Sequence, residues 1–151
     1  MADEWAVRPI GRVRNDVPGL NARWEDVTSR IVIDEEWAPA LEGLEEFSHV
    51  IVLTWLHRRP RRTLQDDLYT HPQGRLDLPA VGFFATRSPR RANPIGLTVV
   101  PLLARDGNVL TVRGLDMADD TPVLDLKPYL ARGDRIDQPR SPAWVRQLWS
   151  E

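Results

Sequence analysis

Residues 47–57 read FSHVIVLTWLH, and this stretch decides the class of fold that the chain can adopt. Alternation places every second residue on one face of a predicted β-strand: Phe47, His49, Ile51, Leu53, Trp55 and His57. A period of two is typical of a strand and not of a helix. The same period recurs on both sides, which predicts further strands over 7–14, 30–34, 80–87, 95–103, 108–115 and 122–127.

Between these strands the chain is rich in proline, with 13 residues spread along its length. We predict a short helical turn over 35–44, a polar loop over 58–79 and a short helix over 141–149. Many short strands with little helix favour a barrel or sandwich over alternating strands and helices. The predicted fold is therefore mainly β: a single-domain β-barrel over 7–130 with short peripheral helices, followed by a partly helical tail over 131–151.

The composition excludes several classes of site. The chain has no cysteine, which excludes disulfides, thiolate metal sites and cysteine nucleophiles. Its nine glycines form no G-x-G, so a Rossmann turn is not expected. His49 and His57 are eight residues apart on one strand, roughly 26 Å, which is too far to share a metal ion. No metal is expected.

Membrane and secretion signals are also missing from the sequence. No apolar run approaches the ~20 residues that a transmembrane helix needs. The first eight residues lack the apolar region of a signal peptide. A cytoplasmic protein with no membrane partner is expected.

Positive charge is concentrated locally, although the formal net charge is -2. Two clusters are dense in arginine: Arg58, Arg59, Arg61 and Arg62, and then Arg87, Arg90 and Arg91. Such clusters suit contacts with RNA phosphates, and ordinary solvated surface is the alternative. Of the 20 cationic residues, Lys127 is the only lysine, so arginine is the default cation of this chain.

Two segments differ in kind from the rest: 83–97, FFATRSPRRANPIGL, and 114–129, GLDMADDTPVLDLKPY. The first is a stiff cationic loop that suits a carboxylate or phosphate. In the second, alternation places Val123, Asp125 and Lys127 on one face of a strand. Asp125 and Lys127 are then expected to form an ion pair facing a cleft or solvent, and a plain surface pair is the alternative.

These segments resemble the signature blocks of the TrmO/TsaA-like family, F-A-T-R-S-P-x-R-P-N-P-I-G and L-D-x-x-D-G-T-P-V-x-D-I-K-P-Y. Residues 10–14, IGRVR, and 41–49, LEGLEEFSH, extend the resemblance, which covers about 9–129. It implies a β-barrel, usually a homodimer, that uses S-adenosyl-L-methionine to methylate N6 of threonylcarbamoyladenosine (t6A37) in tRNA. Two departures stand out: Ala92 replaces a usual proline, and Asp120 replaces a usual glycine whose left-handed conformation aspartate tolerates.

The resemblance also implies roles for particular residues. The cofactor-binding set is His57, Arg58, Arg87, Leu97, Asp116, Asp119 and Thr121. The expected RNA-binding set is Arg59, Arg61, Arg62, Arg90 and Arg91. The expected catalytic set is Asp125, Lys127 and Tyr129, and Asp116 is a further candidate for accepting the N6 proton. Two alternatives stay open: a methyltransferase acting on another nucleoside or a small molecule, and a non-catalytic barrel that binds RNA or a ligand.

Overall fold

The computed structural model describes residues 3–19 and 21–149, which divide into two compact units. The first unit comprises the residues up to His57 together with Ile95–Leu130. The second comprises Arg58–Pro94 together with the residues from Ala131 onward. The domain boundaries predicted from sequence, 7–130 and 131–151, stay a prediction.

The first unit is a closed β-barrel of six antiparallel strands, which confirms the predicted fold class. Its strands are β1 (Gly11–Arg14), β2 (Thr28–Ile33), β3 (His49–Trp55), β6 (Ile95–Asp106), β7 (Val109–Arg113) and β8 (Pro122–Pro128). They follow one another around the barrel in the order β1-β2-β7-β6-β3-β8, and β8 pairs with β1 to close it. Short 3-10 segments connect them at Trp24–Asp26, Glu35–Leu41 and Leu44–Glu46, of which the second is seven residues long. Predicted and observed strand ends differ by a few residues.

Strand alternation sorts the residues of β3 between the core and the outer surface. Val50, Val52 and Thr54 are fully buried, whereas Ile51 and Leu53 lie on the outer face and are partly exposed. The core is built mainly from branched aliphatic side chains: Val13, Ile31, Ile33, Leu41, Val50, Val52, Val100, Leu110, Val112, Leu115, Met117 and Val123. Burial of such side chains is the main favourable term in folding.

Gly96 marks a close approach inside the barrel. A Cβ atom at this position would lie 2.5 Å from Oγ1 of Thr54 and 2.7 Å from Cε of Met117. Thr54 in turn donates a hydrogen bond to Sδ of Met117, at 3.2 Å. The Ile-Gly pair of the first signature block therefore has a packing reason, since only glycine leaves room for these two side chains.

The predicted face of β8 is wrong at one residue. The register pairs Leu53 with Asp125 but Thr54 with Val123, so Leu124 is an extra residue in β8. Such a bulge reverses the alternation on its two sides. Val123 is therefore fully buried in the core, whereas Asp125 and Lys127 lie on the outer face.

The second unit contains little regular structure. Its elements are β4 (Tyr69–Thr70), β5 (Val81–Gly82), the 3-10 turns Pro72–Gly74 and Phe83–Ala85, α1 (Ala131–Asp134) and α2 (Ala143–Gln147). The predicted helix over 141–149 is confirmed in a shorter form. None of the helices within the described residues has the length and apolar character needed to cross a bilayer.

The strand predicted over 80–87 is wrong. Only Val81–Gly82 pairs with another strand, because β4 offers a partner just two residues long. The chain then turns at Phe83–Ala85, where the amide and the hydroxyl of Thr86 both donate to the carbonyl oxygen of Phe83, at 3.1 and 2.8 Å. An apolar run without a pairing partner has no ladder to join, so local hydrogen bonds decide its conformation.

Candidate functional site

Three neighbouring strands bring predicted site residues together on the outer face of the barrel. Leu97 of β6 is paired with Leu53 of β3, and Leu53 is paired with Asp125 of β8. One step along the same face, Ile51 of β3 is paired with Lys127. Since neighbouring strands lie about 4.8 Å apart, this register sets the Cα atoms of Leu97, a predicted cofactor residue, and Asp125, a predicted catalytic residue, about 10 Å apart.

Asp125 and Lys127 form the predicted ion pair, with Nζ of Lys127 2.8 Å from Oδ2 of Asp125. The second carboxylate oxygen accepts a hydrogen bond from the amide of Leu126, at 2.9 Å. The hydrogen bond from Lys127 to Asp125, together with their opposite charges, raises the pKa of Lys127 above its ordinary value. The side chains are 47% and 59% exposed, so the pair contributes little to stability and remains open to a ligand.

Tyr129 follows β8 and lies beside a residue that the sequence did not assign to the site. Its amide donates to the carbonyl oxygen of His49, at 3.2 Å, and the two rings meet edge to face with centroids 6.3 Å apart. Nδ1 of His49 is 2.7 Å from Oγ of Ser48. The signal was available in the sequence, because His49 shares the outward parity of Ile51 and Leu53.

The acidic turn after β7 is held by hydrogen bonds to its own side chains. Oγ1 of Thr98 donates to Asp116 at 2.6 Å, and the amide of Asn15 donates to Asp119 at 3.0 Å. Thr121 is buried, and its hydroxyl donates to a backbone carbonyl within the turn at 2.7 Å. Of the three predicted cofactor residues in this turn, Asp116 is the most exposed and Thr121 the least.

Asp120 adopts a left-handed conformation with φ of 67°, as expected at a position where glycine is usual. Its carboxylate forms an ion pair with Arg14 at 2.8 Å, and its amide donates to the carbonyl oxygen of Val13. The turn therefore keeps its shape despite the substitution, since neighbouring groups of β1 hold the strained residue in place.

In the second unit, Arg91 organises the loop of the first signature block. Its Nη1 donates to the carbonyl oxygens of Thr86 and Ser88, at 2.8 and 3.1 Å. The same guanidinium lies 5.7 and 5.8 Å from the ring centroids of Phe83 and Phe84. A planar guanidinium group has five N–H donors in fixed directions and can stack on aromatic rings, so it can bind carbonyl oxygens and contact both phenylalanine rings together.

The neighbouring arginines are also engaged within the second unit. Nε of Arg62 donates to the carbonyl oxygen of Arg90 at 3.2 Å, and Nε of Arg61 donates to that of Ala92 at 2.9 Å. Arg90 forms an ion pair with Asp66. Hydrogen bonds from Thr63, followed by the charge of Arg90, lower the pKa of Asp66. RNA binding by Arg61, Arg62, Arg90 and Arg91 stays a prediction, and these contacts show that their guanidinium groups already have protein partners.

Two arginines of the second unit differ from these. Arg59 and Arg87 are exposed, and neither makes a hydrogen bond or an ion pair with another described residue. Their charges are therefore available to a ligand.

The structure brings some predicted site residues together and separates others. Leu97, Asp125 and Lys127 share the outer face of the barrel, with Tyr129 at the end of β8, and Asp116, Asp119 and Thr121 lie in the acidic turn of the same unit. His57 follows β3 in the first unit, whereas Arg58 and Arg87 belong to the second. Within the described residues, no three histidine, aspartate or glutamate side chains are grouped so that they could hold a metal ion.

The model of the tRNA-methyltransferase O N-terminal domain matches residues 10–135, well over half of the chain. The chain belongs to the tRNA-methyltransferase O family. The match contains both signature blocks and every predicted site residue, and it ends before α2.

Relatives of this tRNA-methyltransferase O domain include whole proteins and parts of larger ones. A probable S-adenosyl-L-methionine-binding protein of Methanothermobacter thermautotrophicus is 42% identical over 83% of this chain and 90% of its own length. The mouse tRNA (adenine(37)-N6)-methyltransferase is 45% identical over 63% of this chain and 21% of its own length. The crystal structure of TrmO from P. aeruginosa matches 95% of this chain with a TM-score of 0.76 and 30% identity. The chain spans 63% of that TrmO chain.

Proposed function

We propose that this chain is an S-adenosyl-L-methionine-dependent methyltransferase that methylates N6 of t6A37 in tRNA. Family membership and the functions of its relatives support the reaction class, the cofactor and the tRNA substrate. The main structural support in this chain is the outer face of the barrel, where Leu97, Leu53 and Asp125 lie side by side on three neighbouring strands. There, exposed apolar surface lies next to an ion-paired carboxylate. A tRNA substrate makes a cytoplasmic location part of the proposal.

The residues available fit the chemistry of this cofactor. Its adenine ring needs apolar surface, which Leu97 offers because 52% of that residue is exposed. Its cationic groups need a carboxylate, which Asp116 supplies. Arg87, the predicted partner of its own carboxylate, makes no hydrogen bond or ion pair with another described residue. When bound, the cofactor supplies an electrophilic methyl group on a sulfonium.

The catalytic roles follow from the substrate and from the geometry of β8. The N6 atom belongs to a ureido group and is a poor nucleophile, so its proton must be removed or its lone pair oriented. We assign proton acceptance to Asp125, because one of its oxygens is fixed by Lys127 and the other by a backbone amide. Lys127 orients this carboxylate, and Tyr129 positions the substrate from the end of the same strand.

The proposal includes a homodimer. The outer face of β6 exposes four large apolar side chains: Ile95, Leu97, Val99 and Leu103, between 42% and 53% exposed. A contiguous apolar surface of this kind is typical of an interface. A second copy that covered it would also exclude water from the adjacent carboxylate, where charge interactions then strengthen. Light scattering at micromolar concentration is expected to give twice the 17.3 kDa of the chain, and a monomer would contradict the dimer alone.

The deciding experiment measures methyl transfer to tRNA that carries the threonylcarbamoyl group. The purified chain with S-adenosyl-L-methionine should add one methyl group to that nucleoside, detected by mass spectrometry of digested tRNA. The cofactor alone should raise Tm, because a ligand that binds the native state stabilises it. Arg87→Ala should remove most of the shift, since the cofactor carboxylate loses its partner.

Each alternative gives a different outcome. Methylation of another nucleoside would contradict the proposed substrate but support the proposed methyltransferase activity. A Tm shift without any transfer would indicate a non-catalytic binding barrel. Absence of a shift at millimolar cofactor would overturn the methyltransferase proposal.

A further inference from the structure

The second unit contains a cleft of about 840 Å³, and the predicted RNA-binding residues Arg59 and Arg90 line part of it. One wall is the loop that carries Phe84 and Arg87, and another is the segment around α2, with Trp144 and Trp149. Of the seven cofactor residues that the resemblance implies, only Arg87 lines this cleft. Both tryptophans lie beyond residue 135, where the match to the N-terminal domain of the family ends.

Aromatic surface in the cleft is unusually exposed. Phe84 is 76% exposed and Trp149 is 74% exposed, although both are large and apolar. Exposed aromatic rings beside a cavity of ligand size are typical of a site that binds a flat partner by stacking. The faces of nucleobases are such partners, and stacking on aromatic rings is how single-stranded RNA is usually bound.

Three arginines line the cleft, and they differ in their partners. Arg90 forms an ion pair with Asp66. Arg59 and Arg87 have no partner among the described residues, and Arg87 is already the predicted partner of the cofactor carboxylate. The free guanidinium group of Arg59 beside aromatic rings complements a phosphate next to a base.

His71 adds a polar group with a defined orientation. Its Nδ1 lies 2.8 Å from the carbonyl oxygen of Leu78, so this nitrogen donates a proton. In the neutral ring Nε2 is then an acceptor, and no described residue donates to it. An acceptor on the wall of the cleft suits the amino group of a base.

We propose that this cleft binds one unpaired nucleotide of an RNA, with the base stacked on Trp149 or Phe84 and the phosphate bound by Arg59. The inference rests on the proposed function, because that function makes RNA the substrate. A double helix is too wide for such a cleft, so the ligand is a nucleotide from a loop or a single strand. The cleft therefore adds a contact to RNA outside the residue that is methylated.

The test uses a seven-nucleotide adenylate RNA and the full chain. Fluorescence anisotropy should show that Trp149→Ala and Arg59→Ala each weaken binding about tenfold, since base stacking and phosphate contacts are each lost. Arg59→Ala should also reduce the slope of log affinity against log salt by about 0.7, the value for one phosphate of a single strand. Trp149→Phe keeps an aromatic face and should retain most of the affinity.

Matched controls come from the same chain. Trp5 is 86% exposed and Arg140 is exposed, and neither lines the cleft. Trp5→Ala and Arg140→Ala should bind the oligonucleotide as the unchanged chain does. The Tm shift caused by S-adenosyl-L-methionine should be the same in Trp149→Ala, Arg59→Ala and the unchanged chain.

Two results overturn the inference. One is oligonucleotide binding that is absent, or that is equal in the cleft variants and the controls. The other is loss of the cofactor Tm shift in the cleft variants, which would make the cleft a cofactor site. Failure of the proposed function looks different: the oligonucleotide binds through the cleft, but no methyl group reaches tRNA.

Discussion

The outer face of the barrel and the loop over 83–91 are both built from signature residues, yet they are ordered in different ways. On the barrel, strand register places Leu97 and Asp125 on either side of Leu53, and their side chains stay available. In the loop, Arg91 holds the backbone by donating to the carbonyl oxygens of Thr86 and Ser88. Backbone hydrogen bonds between strands order the first region, whereas side-chain hydrogen bonds order the second.

This difference separates residues that can act on a ligand from residues that shape the site. A side chain that projects from a paired strand is free because the ladder already satisfies its backbone. In a loop with few paired strands, polar side chains must satisfy the carbonyl groups instead. A signature arginine in such a loop is therefore a positioning residue unless its guanidinium group is unpartnered, as in Arg87.

The largest expected effect is on the loop. Arg91→Ala should destabilise the second unit by about 3 kcal/mol, because charge-assisted hydrogen bonds contribute about 1.5–3 kcal/mol each and their carbonyls lose a donor. Hydrogen exchange and limited proteolysis should show faster opening over 58–94. Arg87→Ala is the matched control, because Arg87 lies in the same loop without a partner. This substitution should change the stability of the second unit by no more than about 0.5 kcal/mol. If the two substitutions destabilised the second unit equally, the distinction between arginines that hold the backbone and arginines that are available to a ligand would be wrong.

The next effect is on the barrel wall. Gly96→Ala should lower the free energy of unfolding by about 2 kcal/mol, because the added methyl group meets Thr54 and Met117 in a packed interior. Urea unfolding of the chain measures this change. Gly82→Ala is the control, since a Cβ atom there has open space. If the two substitutions cost the same, close packing is not what requires glycine in the Ile-Gly pair.

A smaller effect concerns turnover on the outer face. Lys127→Arg should lower methyl transfer about tenfold, which is about 1.4 kcal/mol of transition-state stabilisation. A planar guanidinium cannot reproduce the point charge that holds Asp125 at 2.8 Å. Cofactor affinity should change less than turnover, and Asp125→Asn should also slow transfer. In the double variant the loss should be smaller than the product of the two single losses, because the pair acts as a unit. Full activity in both single variants would leave the pair with no role in catalysis.

The smallest effect is a shift in titration. Asp125 raises the pKa of Lys127 in the folded chain, so the ion pair stabilises the fold fully below the ordinary lysine pKa and is lost as pH rises through the raised value. Asp125→Asn should return the pKa of Lys127 towards its ordinary value. Because Lys127 is the only lysine, lysine-specific isotope labelling gives a single side-chain resonance for an NMR titration. An unchanged titration would place the charged partner of Lys127 elsewhere.

The sequence alone predicted the barrel well, because alternation in 47–57 and its neighbours is a local property of paired strands. The ion pair of Asp125 and Lys127 was also predictable, since residues two apart on a strand share a face. The burial of Val123 was not predictable from the sequence, because the bulge at Leu124 depends on pairing with β3. The strand predicted over 80–87 failed for a related reason, since alternation cannot tell whether a partner strand exists.

The sequence by itself determined the fold class and the family, because these depend on residue types in a fixed order, and it predicted the candidate site residues. Only the tertiary structure decided which charged groups are available. Arg87 and Arg91 are four positions apart and look equivalent in the sequence, but one is unpartnered and the other binds two carbonyls. The physical reason is that a buried or turning backbone must find hydrogen-bond donors wherever the folded chain brings them, and no local pattern records which side chain arrives.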